Sequence, residues 1–200
     1  KDNPQQNSGD GKMYFDDIRL YRPLPPVVVD VENSSFELPG TEKIKGWNGE
    51  GVDGTPAVDI PGWASDTEVA DSGVEMGWGA TDGEWTAFLM GGDPSVWQLT
   101  EHVIAEGEVY QLAVDSKNNW LATTLQMTLY YDDAGVRVAA ATQDVTLTDA
   151  MAEAVLSFAA ADMPEAVGKN IGIEFDNVTE DGESWLALDN VRLDLVEAAD

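Results

Sequence analysis

This 200-residue chain predicts an all-β sandwich or barrel, on three observations. Apolar and polar residues alternate with period two in many short runs. Clusters of Gly, Asp, Asn and Pro separate those runs at even spacing. No sustained helical period lies between them, so the chain has neither a βαβ pattern nor a helical bundle pattern.

Taken in order, the first run is Tyr14 to Tyr21, whose centre reads Tyr14-Phe15-Asp16-Asp17-Ile18-Arg19-Leu20. The chain ends on a similar run, Leu188-Asp189-Asn190-Val191-Arg192-Leu193. A strand of this kind closes a domain, so residues 1–22 read as the last strand of an upstream domain. Alternatively they form a donor strand, with residues 13–21 pairing in the sheet of another copy. Pro23, Pro25 and Pro26 then make 23–27 a stiff connector that cannot join a sheet ladder. One domain follows, over residues 28–197. Its first strand is Val27-Val28-Val29-Asp30-Val31, and the Gly-, Asp- and Pro-rich stretch 39–83 reads as long loops between short strands. From residue 84 the strands are Trp85–Met90, Val96–Leu99, Val109–Val114, Thr124–Tyr131, Val136–Ala141, Asp144–Leu147, Ala152–Phe158, Ile171–Phe175 and Trp185–Leu195. Residues 117–119 read as a separator, with Trp120 in a loop after them, and the Ala- and Met-rich segment 149–167 has room for a helical turn.

Composition excludes several function classes. With 38 acidic and 10 basic side chains the formal charge is −28, a field that repels nucleic acid and anionic membranes. No apolar run approaches the roughly 18 residues of a membrane span, so no membrane insertion is expected. The chain has no cysteine, which rules out thiolate metal sites, thiol catalysis and disulfides. Its single histidine, His102, lies in a polar segment with no sign of a nucleophilic triad. Paired carboxylates arise by chance among so many acids, so the residues suggest no enzyme.

The ordered motifs Asn33-x-Ser35-Phe36-Glu37, Pro61-Gly62-Trp63, Val96-Trp97-Gln98-Leu99, Gly107-Glu108-Val109-Tyr110-Gln111-Leu112, Leu129-Tyr130-Tyr131-Asp132 and Leu188-Asp189-Asn190-Val191 resemble the jelly-roll carbohydrate-binding modules related to families 4, 9 and 22. The resemblance spans about residues 28–196 and implies a two-sheet jelly-roll β-sandwich in a larger modular protein. It also implies an extracellular or cell-surface setting and a polysaccharide or glycan partner. The opening strand resembles the end of a concanavalin-like sandwich.

That resemblance implies a structural calcium tying the first strand to the last through Glu37 and Asp189. The residues supply a reason of their own: Asp189 shares the inward face of Val191, Leu193 and Leu195, and a buried carboxylate needs compensation. Turn capping or pairing with Arg192 would serve as well.

For a ligand, alternation leaves Gln111, Gln126, Tyr130 and Glu174 on outward faces, where they read as a sugar-binding concavity walled by Trp78 and Trp120. Outward polar residues are also the default of any sandwich. Trp63, Trp97 and Trp185 read as core plugs. The expected function is therefore a non-catalytic carbohydrate-binding module. The alternative is a structural repeat of a surface layer, adhesin or filament assembled by strand addition.

Overall fold

The computed structural model describes residues 27–40, 43–49, 51, 54–55, 57–66 and 71–196. The strand expected at 13–21 and the prolines of the connector lie outside these residues. Within them the chain is a two-sheet, antiparallel jelly-roll sandwich, as the resemblance implies and as the alternation allows. Its strands are β1 (Val27–Val29), β2 (Ile44–Lys45), β3 (Ala64–Ser65), β4 (Gly73–Met76), β5 (Trp85–Met90), β6 (Val96–Val103), β7 (Val109–Trp120), β8 (Thr124–Asp133), β9 (Val136–Thr146), β10 (Ala152–Ala159), β11 (Asn170–Asn177) and β12 (Trp185–Val196). Two single-turn 3₁₀ helices, Ala160–Asp162 and Pro164–Ala166, occupy the Ala- and Met-rich segment. Among the described residues no helix is long and apolar enough to cross a membrane.

The larger sheet runs β10-β7-β12-β5-β4-β2, and β1 joins it beside β12. The smaller runs β3-β6-β11-β8-β9. Period-two alternation fills the space between them. Trp85, Ala87 and Leu89 of β5 face Leu125, Met127, Leu129 and Tyr131 of β8 and Ile171, Ile173 and Phe175 of β11 across one continuous core. Trp63 is the core plug that was expected. It packs on Phe36 at 4.9 Å and Phe175 at 6.0 Å, and its indole N–H donates to the Asn33 carbonyl at 3.1 Å.

The structure differs from the sequence reading at two strands. Residues 136–146 form one strand, not two. The 117–119 separator is the continuation of β7, with Trp120 as its last residue. Asn118 survives there because it finds partners at the strand end: it donates through its amide nitrogen to Asp149 Oδ1 at 2.9 Å and accepts from the Ala122 N–H at 2.9 Å.

The strand that organises the larger sheet is β12. It pairs with β7 along its length, while on its other side β5 pairs with 185–188 and β1 with 193–195. The exchange of neighbours happens at a bulge between Asp189 and Arg192, where Asn190 takes a left-handed conformation (φ 54°).

On the outward face of the smaller sheet Tyr130 lies flat over Gly172. A Cβ at Gly172 would sit 2.1 Å from Tyr130 Cζ. Gly172→Ala should therefore force the ring off its seat and destabilise the domain by about 1–3 kcal/mol, the usual cost of overpacking. Thermal or urea denaturation of the variant checks this.

Candidate functional site

Three loops meet at one end of the larger sheet, and a pocket of about 350 Å³ lies among them. It is lined by Trp78 from the β4–β5 hairpin, Asn119 and Trp120 from the end of β7, and Glu183 and Trp185 from the start of β12. The hairpin is closed by the Gly77 N–H donating to the Glu84 carbonyl at 2.8 Å. Its tip, Gly77-Trp78-Gly79, has positive φ throughout, which the glycines accept easily and Trp78 (φ 56°) does not. Leu121, directly after Trp120, is also left-handed (φ 55°). Bulky residues held in this region cost on the order of 1–3 kcal/mol each and are concentrated at ligand clamps.

The aromatic wall is fixed from below. Trp185 stacks on Phe88 of β5 at 5.9 Å and meets Trp78 edge-on at 6.0 Å. The Lys43 ammonium lies 5.1 Å from the Phe88 ring centre and 5.4 Å from that of Trp185, held there by Glu75 at 2.8 Å. The same Glu75 oxygen accepts the Trp78 indole N–H at 3.1 Å. One carboxylate thus orders both a cation and an indole. Glu183 is exposed at the rim, and its N–H donates to Asp181 Oδ1 at 3.0 Å. Next to it, buried Ser184 is tied down by the Asn177 amide, which also donates to the Leu89 carbonyl at 3.1 Å.

Of the residues expected to bind a ligand, Trp78 and Trp120 come together. The other four do not. Gln111 lies further along the outward face of the larger sheet, in register with Asp194 and Ser157. Gln126, Tyr130 and Glu174 lie on the outward face of the other sheet, so the six do not form one concavity. Gln126 is engaged with Asp144 at 2.9 Å, and Glu174 accepts from the Ser95 hydroxyl and lies 3.6 Å from the Arg137 guanidinium. Tyr130 faces outward as expected but is only 1% exposed, which corrects its reading as a surface contact.

Trp185 and Trp97 are corrections as well. Both were read as core plugs, yet both sit half-buried on outward faces, Trp185 in the pocket and Trp97 under the Arg137 guanidinium at 4.7 Å. Parity held the answer for Trp185, because Leu186 and Leu188 point inward beside it. Asn119 and Glu183 carried no such signal, since polar residues near turns are common.

Glu37 and Asp189, the expected calcium ligands, do meet at one turn, residues 81–85, but through its amides. Asp189 Oδ2 accepts the N–H groups of Thr81 and Asp82, and Oδ1 accepts that of Asn190 at 2.7 Å. Glu37 Oε1 accepts the N–H groups of Glu84 and Trp85, each at 2.8 Å. Donors aimed at these oxygens do the work asked of a cation. Among the described residues no group of three or more His, Asp or Glu side chains is placed to hold a metal ion.

Asp189 is fully buried, and burial pushes its carboxyl above the ordinary value despite these donors. Burial, reinforced by the neighbouring Glu174 charge, does the same to Asp176 on the other sheet.

A sequence model of the HpiC1-like family, described as HpiC1 cyclase, matches residues 27–194. No curated protein sequence matches the chain. The fold is similar to that of a Stig cyclase from Fischerella sp. TAU in complex with (3Z)-3-(1-methyl-2-pyrrolidinylidene)-3H-indole. The TM-score is 0.66 at 18% identity, over 88% of this chain and 100% of that one. A cyclase from Fischerella sp. TAU in complex with 4-(1H-indol-3-yl)butan-2-one gives 0.66 at 19% identity, over 87% and 100%. A structure described as CBM4 reaches 0.52 at 14% identity, over 83% and 99%, so the likeness to carbohydrate-binding modules is one of fold. The match to a cyclase family overturns the reading as a non-catalytic module or as a subunit assembled by strand addition. The polysaccharide and self-assembly partners fall with it.

Two outcomes follow from these carboxylates. Asp189→Ala removes the buried acceptor of three part-buried N–H groups and should cost about 1–3 kcal/mol, read from urea denaturation, the scale of hydrogen bonds to a charged group. For Asp176 the sign runs the other way. Its raised pKa means that the folded state holds the ionised form less readily than the unfolded chain does, so its ionisation destabilises above that pKa. Asp176→Asn should melt higher than the parent at pH 7. The gain should fade as pH falls through the raised value towards the ordinary 3.8.

Proposed function

We propose, proceeding from the fact that this chain belongs to the HpiC1-like family, that it is a cyclase-type enzyme whose substrate is a small aromatic, indole-bearing molecule. The observation that carries this reading is the pocket itself, where three tryptophans and one carboxylate meet. The relatives from Fischerella were solved with indole compounds, which fit a site walled by indole rings.

Ring closure within one molecule conserves its atoms. A proton enters or shifts, a carbon framework folds back on itself, and positive charge develops on the way. The pocket has a part for each need. Trp78 and Trp185, locked edge-to-face, form a rigid corner against which a flat ring stacks. Their π faces favour developing cationic charge, as the Lys43 ammonium over Trp185 illustrates on the same stack. Trp120 closes the open side. Among the described residues Glu183 is the one ionisable side chain that lines the pocket, and we assign it the proton transfer.

Incubation with indoles bearing an unsaturated side chain, followed by chromatography and mass spectrometry, tests the reading. A cyclised isomer of unchanged mass is expected. Glu183→Gln should slow its formation by roughly 10²–10⁴-fold, the scale of general acid–base catalysis, without changing the melting temperature. Trp185→Ala should weaken binding of 4-(1H-indol-3-yl)butan-2-one by about 0.5–1.5 kcal/mol in titration calorimetry. Undiminished turnover in both variants would place the chemistry elsewhere.

A further inference from the structure

Among the described residues Asn119 is the one neutral polar side chain lining the pocket, and it is anomalous. Neither its amide nitrogen nor its amide oxygen has a hydrogen-bond partner among the described residues, and both atoms are out of contact with bulk water. The neighbouring Asn118 shows what the fold does with an asparagine whose role is structural. Its amide nitrogen donates to Asp149 and its oxygen accepts the Ala122 N–H. A carboxamide left with neither bond is a stability cost, and native interiors rarely carry one without a purpose. A leucine would have filled the same space at no such cost.

We propose that Asn119 is the specificity-determining group of this pocket. It is held unsatisfied in the free protein and pairs with a ligand that presents a hydrogen-bond donor and an acceptor side by side. The amide offers one donor edge and one acceptor edge in a plane, so its complement is a lactam-like or amidine-like N–H next to an acceptor. Trp185 stacks the ring and Asn119 reads its polar edge. Trp120, 61% exposed at the end of β7, lines the same pocket. Selectivity follows from burial: a ligand lacking either group leaves the buried amide unpaired, and that mismatch discriminates more strongly than an apolar contact does.

This inference rests on the pocket being the substrate site, and oxindole and indole as probes separate the two claims. Oxindole has adjacent N–H and C=O groups; indole has the N–H alone. By titration calorimetry the wild-type protein should bind oxindole on the order of tenfold more tightly than indole, the worth of one further satisfied hydrogen bond. Asn119→Leu should bind the two alike and also melt at a higher temperature than the wild type, because an unpaired buried amide has been removed. Asn119→Ala, which cannot overfill the site, should likewise lose the preference while still binding indole. Equal affinity for both probes in the wild type, or a lower melting temperature in both variants, would overturn the proposal and leave the aromatic pocket standing. Failure of the wild type to bind either probe would overturn the pocket reading along with it.

Discussion

The carboxylate of Asp189 sits where the central strand of the larger sheet changes partners, and the functional end of the molecule depends on how that charge is accommodated. β12 must run beside β5 and then beside β1, and the bulge at 189–192 allows the change. A bulge leaves an irregular backbone and, here, a fully buried charge. Compensation comes from the turn at 81–85, whose amides converge on Asp189 from one side and on Glu37 from the other. Thr81 adds a hydroxyl contact to Asp115, which also accepts the Asn190 side-chain amide. The beginning of the domain, its last strand and the β4–β5 hairpin are thereby fastened at one point.

That fastening explains how Trp78 can be held in an unfavourable conformation. The hairpin that carries it is tied at its far end by four backbone amides and at its near end by Glu75, so the strained tip is over-determined from both sides. The Trp78–Trp185–Phe88 stack inherits this rigidity, and the Lys43–Glu75 pair adds a fixed charge to it. Rigid aromatic walls with one exposed, adaptable ring at the mouth make a site suited to shaping a flexible small molecule rather than gripping an extended polymer.

The inward and outward sense of almost every long strand was legible, because burial of one face imposes period two on the residues themselves. Trp78 and Trp120 were also legible as residues outside the core that could share one pocket, since neither belongs to an inward-facing set. Trp185 was misread although its parity pointed outward, because a tryptophan beside Leu186 and Leu188 resembles core. Gln111, Gln126, Tyr130 and Glu174 share the outward sense with the pocket residues but not its place. Alternation says that a side chain leaves the core, not from which sheet it leaves. Tyr130 shows a further limit. It points out of the sandwich and is buried all the same, because Gly172 on the next strand provides a seat for its ring.

What the residues determined alone is therefore the local, periodic part: strands where apolar residues alternate, turns where Gly, Asp and Asn cluster, a cysteine-free acidic surface, and a carboxylate at position 189 that needs compensation. Tertiary structure decided the rest. It chose amide donors for that carboxylate by laying the 81–85 turn across the bulge of β12, and it brought Trp78, Asn119, Trp120, Glu183 and Trp185 to one pocket from three segments more than a hundred residues apart at their extremes. The physical reason is that pairing energies between strands are nearly independent of their separation along the chain. The sites that loops build at a sheet's end follow from strand order, and strand order is a property of the whole packed core rather than of any segment within it.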